Sequence, residues 1–236
     1  MSKAVHVRDK FLGSMVGTGL GDAIGEMAFR LPGKERLLSA VGRRSTLIYT
    51  DDTAMTIGLA QSIVERGGLD QRHLGDTFRR NYGRESWRGY ASGPPTVFFM
   101  VDYRDMTYTE AAKTLYGGEG SFGNGAAMRI APVGLFFYDD NGLYEKARLS
   151  ATVTHAHPLG VDGAAVQARA VAQAVRLNPQ EPFSAEAFLE GLLDTARTGE
   201  MEEKLARVGD AIRQDVPPQE AITTLGPGVA VHKSLP

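Results

Sequence analysis

The chain has 236 residues, and its 26 Lys and Arg against 28 Asp and Glu give a formal net charge of −2. With this near balance and no basic run, general nucleic-acid binding through phosphate neutralisation is not expected. Cysteine is absent, which excludes disulfides, thiolate nucleophiles and cysteine-ligated zinc and favours the cytoplasm. Residues 1–10 mix charges without an apolar segment of the secretory type, so no signal peptide is expected.

The first apolar stretch, residues 11–29, is long enough to cross a membrane but contains Asp22 and Glu26, which would be costly in hydrocarbon. We therefore expect a buried helix and no membrane partner. Glycine recurs at every fourth position of this stretch, at Gly13, Gly17, Gly21 and Gly25. Because glycine weakens a helix, the stripe predicts close packing against a neighbour. Asp22, beside the stripe, needs a hydrogen-bond donor or a cation-bound water shell.

The segment 49–53, Tyr-Thr-Asp-Asp-Thr, precedes an amphipathic helix that is predicted to stop at Gly67. Thr50 is a suitable N-cap, which places Asp51 and Asp52 in the first turn at the positive end of the helix dipole. One interpretation is simple helix capping. The other is a hard-cation site, because adjacent carboxylates and threonine hydroxyls supply the oxygen ligands that Mg²⁺, Mn²⁺ or Ca²⁺ prefer.

The remaining segments read as helices with hardly a convincing strand, and the predicted fold class is all-α. A helix capped by Asp70 is expected over residues 69–82, and Thr109 is the expected cap of a helix through Leu115. Residues 96–100 are either a strand or one helical turn. Further helices are expected over residues 160–177, after Ser184, around Leu205 and Ile212, and from Pro217 to a stop at Gly226.

Residues 117–129 form a glycine-rich segment in which Gly118, Gly120 and Gly123 match the dinucleotide-binding spacing G-x-G-x-x-G. The segment before it reads as helix and not as strand, so a Rossmann site is disfavoured. Two interpretations stay open: a turn whose backbone N–H groups hold phosphate oxygens, or a turn without a ligand. Of His155 and His157, which follow, one is expected to be structural.

Four motifs together carry a resemblance to a known family. They are Gly21-Asp22-Ala23-Ile24-Gly25, Tyr49-Thr50-Asp51-Asp52-Thr53, the run from Gly120 to Arg129, and Thr154-His155-Ala156-His157. In this order they resemble the ADP-ribosylglycohydrolase family, which includes the dinitrogenase reductase-activating glycohydrolases and the ADP-ribosyl-acceptor hydrolases. The motifs cover residues 11 to about 165.

The resemblance implies a compact, orthogonally packed helical fold, with residues 1–236 as a single domain. It also implies an enzyme with two Mg²⁺ or Mn²⁺ ions at the base of an ADP-ribose cleft. Thr50, Asp51 and Asp52 would be metal ligands, and Asp51 and Asp52 would take part in catalysis with Glu26. The implied substrate-binding residues are Asp22, Gly120, Ser121, Phe122, Gly123, Asn124, Gly125, Met128 and His155.

The implied reaction is metal-dependent hydrolysis of the N- or O-glycosidic bond between ADP-ribose and a modified protein side chain or a related conjugate, which releases ADP-ribose. This bond breaks through an oxocarbenium-like centre. The partner is therefore an ADP-ribosylated protein or another ADP-ribose conjugate. The acceptor stays open between arginine, serine, a nucleobase and a small molecule.

The sequence departs from the family pattern at two points. Phe29 stands where the family usually has a glutamate, which leaves Glu26 as the nearest acid. An Asp-Thr-Asp-Thr motif expected near the C-terminus is missing, so the chain looks C-terminally incomplete relative to the family, and one ion or none becomes plausible. Two alternatives therefore stay open: a non-catalytic ADP-ribose-binding or structural homologue, and a nucleotide phosphohydrolase.

Overall fold

The structure, a computed structural model that describes residues 7–31 and 33–235, is built from helices. In chain order these are α1 (Val7–Arg30), α2 (Lys34–Gly42), α3 (Asp51–Arg66), α4 (Gln71–Arg84), α5 (Gly93–Arg104), α6 (Tyr108–Thr114), α7 (Ala131–Phe136), α8 (Leu143–Ala151), α9 (Pro158–Arg176), α10 (Ala185–Leu193), α11 (Gly199–Arg213), α12 (Pro218–Leu225) and α13 (Val231–Ser234). Within the described ranges there is no strand, and one isolated antiparallel bridge joins Gly123 to Ala230. The predicted all-α class is confirmed.

Helix α9 is central to the fold. It packs against α7 and α8, and α3 packs against α4. Leu59 and Ile63 of α3 and Leu74 and Phe78 of α4 are at most 2% exposed. Burying a side chain of this size contributes about 1.5–3 kcal/mol. The contacts fix α3, whose first turn carries the predicted metal ligands, against a rigid support.

The ends of α3 and α4 are as predicted. The Thr50 side chain accepts a hydrogen bond from the backbone N–H of Asp52, and Gly67 ends α3 in the left-handed conformation. Asp70 caps α4 by accepting a hydrogen bond from the N–H of His73. Capping of this kind stabilises a helix by about 1 kcal/mol.

Helix α1 forms as predicted, but the expectation that it is buried is wrong. Among its residues only Ala23 and Met27 are buried, while Leu12 and Val16 are 61% and 50% exposed. A Cβ atom placed on any glycine of the predicted stripe would meet no atom within 4 Å, as the positions Gly13, Gly17, Gly21 and Gly25 show. The described part of the chain meets α1 on its Ala23 and Met27 side and leaves the glycine stripe without a packing neighbour.

Two boundaries differ from those expected. Residues 96–100 lie within helix α5, which tolerates its two prolines because they occupy the first turn. Helix α6 is capped by Thr107 and not by Thr109, because Thr107 and Glu110 form a reciprocal capping box. The spacing of Thr107 and Glu110 is itself the sequence signal that identifies the correct cap.

The last helices lie close to their predicted positions. Ser184 caps α10 by accepting a hydrogen bond from the N–H of Ala187, and Gly226, with φ of +83°, ends α12. Val231 of α13 packs so closely on Gly163 of α9 that a Cβ on Gly163 would lie 2.1 Å from Val231 Cγ2. None of the described helices has the length and apolar character needed to span a membrane.

Candidate active site

The first turn of α3 opens into a cavity of about 840 Å³ that we call the acidic cavity. Of the residues predicted to be functional, this cavity brings together Asp22, Glu26, Thr50, Asp51, Asp52 and Met128. The glycine-rich turn and His155 do not line it themselves. They adjoin it through Met128 and Val229, which line the cavity and are hydrogen-bonded to Asn124 of the turn.

Asp22 anchors the start of α3. Its Oδ1 atom accepts a hydrogen bond from Thr50 Oγ1 at 2.6 Å. Its Oδ2 atom accepts from the N–H of Thr50 at 2.8 Å, from the N–H of Thr53 at 3.1 Å and from Thr53 Oγ1 at 2.6 Å. Both carboxylate oxygens are therefore engaged by α3, and Asp22 orients the turn that carries Asp51 and Asp52. Thr53 is not among the predicted site residues. Its position directly after Asp52, which matches that of Thr50 before Asp51, is the sequence signal that would have indicated it.

The cavity concentrates negative charge. Burial, assisted by the charge of Asp22 and opposed by Arg129, raises the pKa of Asp51 to about 6. Burial is the largest cause that raises the pKa of Asp52 to about 7, and the negative charges of Asp51 and Asp22 are the next largest. Within the described ranges neither Asp51 nor Asp52 has an ion-pair partner, so the pair needs a counter-charge.

The donor set at this turn suits one divalent cation. It consists of the carboxylates of Asp51 and Asp52 and of Thr50 Oγ1, which donates to Asp22 and keeps a lone pair for a ligand. Among residues 7–31 and 33–235 there is no group of three or more His, Cys, Asp or Glu side chains that could hold a metal ion. Thr50, Asp51 and Asp52 supply only oxygen ligands, and water or substrate would complete the coordination of the ion. Mg²⁺ is usually bound in this way.

Glu26 lines the same cavity but has a partner of its own. Its Oε1 atom lies 3.1 Å from Arg30 Nη2 one helical turn away. Phe29, which stands at the position where a glutamate was expected, is 88% exposed. Glu26 therefore lines the cavity with Oε1 held by Arg30, and its Oε2 has no hydrogen-bond partner in the described part of the chain.

The glycine-rich turn has a backbone that favours glycine. The φ angles of Gly117, Gly118 and Gly120 are +75°, +98° and +78°. A Cβ on Gly120 would lie 2.7 Å from the backbone nitrogen of His157 and 2.9 Å from the carbonyl carbon of Ala156. The turn thus rests directly on the segment that leads into α9, which explains why a side chain is excluded there.

Some N–H groups of the turn are already used within the protein. The N–H of Gly123 donates to Ser121 Oγ at 3.2 Å, and the N–H of Asn124 donates to the carbonyl oxygen of Val229 at 2.9 Å. The N–H groups of Ser121 and Phe122 have no acceptor in the part of the chain that the structure describes. These two N–H groups are available to a ligand.

His155 supports the turn from below. It is 5% exposed, its Nδ1 atom lies 2.8 Å from Thr154 Oγ1, and its ring contacts Gly125 so closely that a Cβ there would lie 2.7 Å from Cε1. Burial, assisted by the charge of Arg129, lowers the pKa of His155 to about 3. His157 instead caps α9 by accepting a hydrogen bond from the N–H of Leu159, which confirms that one histidine of the pair is structural.

Arg129 links the turn to the acids, and the predicted site residues did not include it. Its guanidinium is fully buried and donates from Nη1 to the carbonyl oxygen of Gly125 at 3.0 Å and from Nη2 to that of Ser150 at 3.1 Å. Burial lowers its pKa to about 9, against which the charge of Asp51 acts. A cation at this place stabilises the carbonyl of Gly125 in the turn, the carbonyl of Ser150 in α8 and the charge of Asp51.

Comparison with known proteins supports the family identified from the four motifs. The sequence profile of the ADP-ribosylglycohydrolase family matches residues 3–236. The chain is 35% identical to ADP-ribosylhydrolase ARH3 of Mus musculus over 262 residues, which covers 96% of this chain and 70% of that protein. It is 33% identical to ADP-ribosylhydrolase ARH3 of Homo sapiens over 267 residues, which covers 99% of this chain and 72% of that protein.

A solved structure described as an ADP-ribosylglycohydrolase-related protein complex shares the fold. Its TM-score is 0.65 at 23% identity, and the match covers 96% of this chain and 72% of that chain. The predicted fold is thus confirmed. With the family profile and the relatives, the enzyme class is confirmed as well: the chain belongs to the ADP-ribosylglycohydrolase family, a group of hydrolases that act on ADP-ribosyl conjugates.

Proposed function

We propose that this protein hydrolyses the N- or O-glycosidic bond between ADP-ribose and the side chain of a modified protein, in a reaction that depends on a divalent cation. One observation carries the proposal. Asp51 and Asp52, which have no ion-pair partner among the described residues, line a cavity that the glycine-rich turn adjoins through Met128 and Val229. The buried guanidinium of Arg129 donates to the turn at Gly125 and acts electrostatically on Asp51.

The turn supplies the contacts expected for the diphosphate of ADP-ribose. The free N–H groups of Ser121 and Phe122 can donate to phosphate oxygens without opening any existing hydrogen bond. Met128 lines the acidic cavity next to the turn and would contact the ribose. His155, neutral and buried, keeps Gly125 in place and adds no charge that would have to be desolvated on binding.

The acids define the reactive end of the cavity. Thr50, Asp51 and Asp52 would hold Mg²⁺ or Mn²⁺, which supplies a site for orienting the ribose hydroxyls and for making a bound water more acidic. Asp22 keeps the turn of α3 in position through its hydrogen bonds to Thr50 and Thr53.

Asp22 and Glu26 are the two carboxylates of the cavity that lie outside α3, and Asp22 has both oxygens engaged by Thr50 and Thr53. Glu26 would therefore be the group that exchanges a proton with the attacking water or with the leaving group. Its partner Arg30 is largely exposed, so the contact between them is a weak surface ion pair. Opening it costs at most about 1 kcal/mol, which a bound substrate can offset.

A second candidate function is binding of ADP-ribose without catalysis. It is favoured by the small number of acids at the turn of α3 and by the pairing of Glu26 with Arg30. A purely structural homologue would show no ligand response at all.

The test combines thermal denaturation with product analysis. For the enzyme we expect ADP-ribose to stabilise the fold more strongly when Mg²⁺ is present, and an ADP-ribosylated peptide to yield free ADP-ribose. Stabilisation that is independent of Mg²⁺ with no turnover would identify a binder. Release of AMP or phosphate in place of ADP-ribose would identify a nucleotide phosphohydrolase and contradict the proposed bond.

A further inference from the structure

A stack of three side chains forms one wall of the acidic cavity. The guanidinium carbon of Arg88 lies 3.8 Å from the centre of the Tyr49 ring and 4.1 Å from the centre of the Trp87 ring. The same guanidinium donates to the carbonyl oxygen of Tyr49 at 2.9 Å and to Glu85 Oε1 at 2.8 Å. The Arg88 side chain is only 10% exposed, so it acts as a spacer that fixes both rings.

Trp87 is the outer layer of this stack. It lines the cavity and is 63% exposed, although it is the only tryptophan of the chain. An aromatic ring that is already held against Arg88 loses little conformational freedom when it binds a partner, which is why tryptophan is enriched at recognition sites. Nothing in the binding of the diphosphate or of the cation uses this ring.

The stack lies next to the reactive acids. Tyr49 directly precedes Thr50, and a Cβ on Gly89 would lie 3.9 Å from Asp51 Oδ1. Trp87 is thus two residues from a backbone position that faces Asp51. The glycine-rich turn reaches the same acid through Arg129. In the proposed placement the turn takes the diphosphate and Met128 contacts the ribose, so the wall at Trp87 is left for the group on the other side of the bond that breaks.

We propose that Trp87 is a specificity-determining residue that contacts the acceptor polypeptide of an ADP-ribosylated protein. The inference rests on the proposed function and extends it to the acceptor side. Three arginines line the cavity, of which Arg88 is paired with Glu85 and Arg30 with Glu26, and Arg44 is the third. The four carboxylates of Asp22, Glu26, Asp51 and Asp52 outnumber these cations, so the cavity disfavours a phosphate backbone and favours a polypeptide over a nucleic acid.

The test compares two substrates with the same linkage, an ADP-ribosylated peptide and the corresponding ADP-ribosyl amino acid, in whichever of the serine and arginine linkages the wild type cleaves. We expect Trp87→Ala to raise KM for the peptide roughly tenfold, as for a residue at the centre of a contact, and to leave turnover of the amino-acid conjugate within about twofold. Trp87→Phe keeps a ring on Arg88 and should restore most of the loss. Tyr103→Ala removes a ring that is 75% exposed and lies outside the cavity, so it should change neither substrate.

Because Trp87 is the only tryptophan, its fluorescence gives a readout that does not depend on turnover. In stopped-flow mixing with Mg²⁺, the ADP-ribosylated peptide should change the emission and free ADP-ribose should not.

An equal loss on both substrates, an unchanged KM for the peptide, or a loss confined to an ADP-ribosylated oligonucleotide would overturn the inference while the hydrolysis itself stands. A wild type that cleaves neither conjugate would overturn the proposed function and this inference together.

Discussion

Asp22 Oδ2 accepts hydrogen bonds from both the amide and the hydroxyl of Thr53, at 3.1 and 2.6 Å. Together with the two bonds from Thr50, they join α1 to the first turn of α3 through one carboxylate. The orientation of the predicted metal ligands therefore depends on a residue that is remote in sequence and does not itself need to touch the cation.

We expect Asp22→Ala to lower the free energy of unfolding by about 2–4 kcal/mol, because several hydrogen bonds to a charged acceptor are lost from a partly buried site. Binding of Mg²⁺ should weaken at the same time, since Thr50 is no longer held. Urea denaturation and calorimetric titration measure the two effects. Asp139→Ala, which removes a carboxylate paired with Arg176 at the surface, should cost at most about 1 kcal/mol and leave Mg²⁺ binding unchanged.

Replacement of both acids by their amides, Asp51→Asn with Asp52→Asn, should raise the unfolding free energy in the presence of a chelator. The two carboxylates repel each other and Asp22, and the amides keep their shape without the charge. The gain should be about 1 kcal/mol, because part of the repulsion relieved is offset by the loss of favourable charge at the helix N-terminus. With Mg²⁺ in excess the wild type should be the more stable protein. A wild type that is equally stable with chelator and with Mg²⁺ would argue against a cation between these acids.

The pH dependence of stability should report the buried His155. Its pKa is lowered to about 3 from a usual value of 6.5, so the unfolded chain binds a proton that the folded chain refuses. Stability from this group is fully present above pH 6.5 and is lost as the pH falls towards 3. The wild type should lose up to about 1.4 kcal/mol per pH unit more than His155→Gln over this range. Urea denaturation between pH 7.5 and 4.5 measures the slopes, and parallel slopes would show that the imidazole is not buried in its neutral form.

Two glycines of the turn provide a matched comparison. Gly117→Ala places a side chain at positive φ in open space, so only backbone strain of about 1 kcal/mol is expected. Gly120→Ala adds a collision with the backbone of Ala156 and His157 to the same strain. We expect it to cost about 3 kcal/mol or more and to abolish ADP-ribose binding, measured by denaturation and by titration. Equal effects of the two substitutions would show that the turn does not rest on the 155–157 segment.

The sequence predicts the helical elements well wherever a cap or a glycine stop is present, as at Thr50, Asp70 and Ser184. The predicted burial of α1 is wrong. Apolar content and glycine spacing indicate that a helix face is able to pack, but they do not indicate whether another part of the chain covers that face. The cap of α6 was placed two residues late, although Thr107 and Glu110 carry the capping-box signal.

For the site, local pattern locates the acids and the glycine-rich turn, because each is contiguous in sequence. It does not locate the groups that connect them. Asp22 has both oxygens engaged by residues about thirty positions away, and Arg129 bridges Gly125 to the charge of Asp51. The stack of Tyr49, Arg88 and Trp87 likewise joins residues 39 positions apart. Such partners come together only when the chain is packed. The sequence pattern therefore does not distinguish them from other polar residues.

The central claim is that Thr50, Asp51 and Asp52 hold a divalent cation at the ADP-ribose site. Electron paramagnetic resonance of free Mn²⁺ counts the bound ions directly in the presence of ADP-ribose. We predict at least one bound Mn²⁺ per chain for the wild type and none for the variant with Asp51→Asn and Asp52→Asn. Equal Mn²⁺ binding by the two proteins would contradict the account.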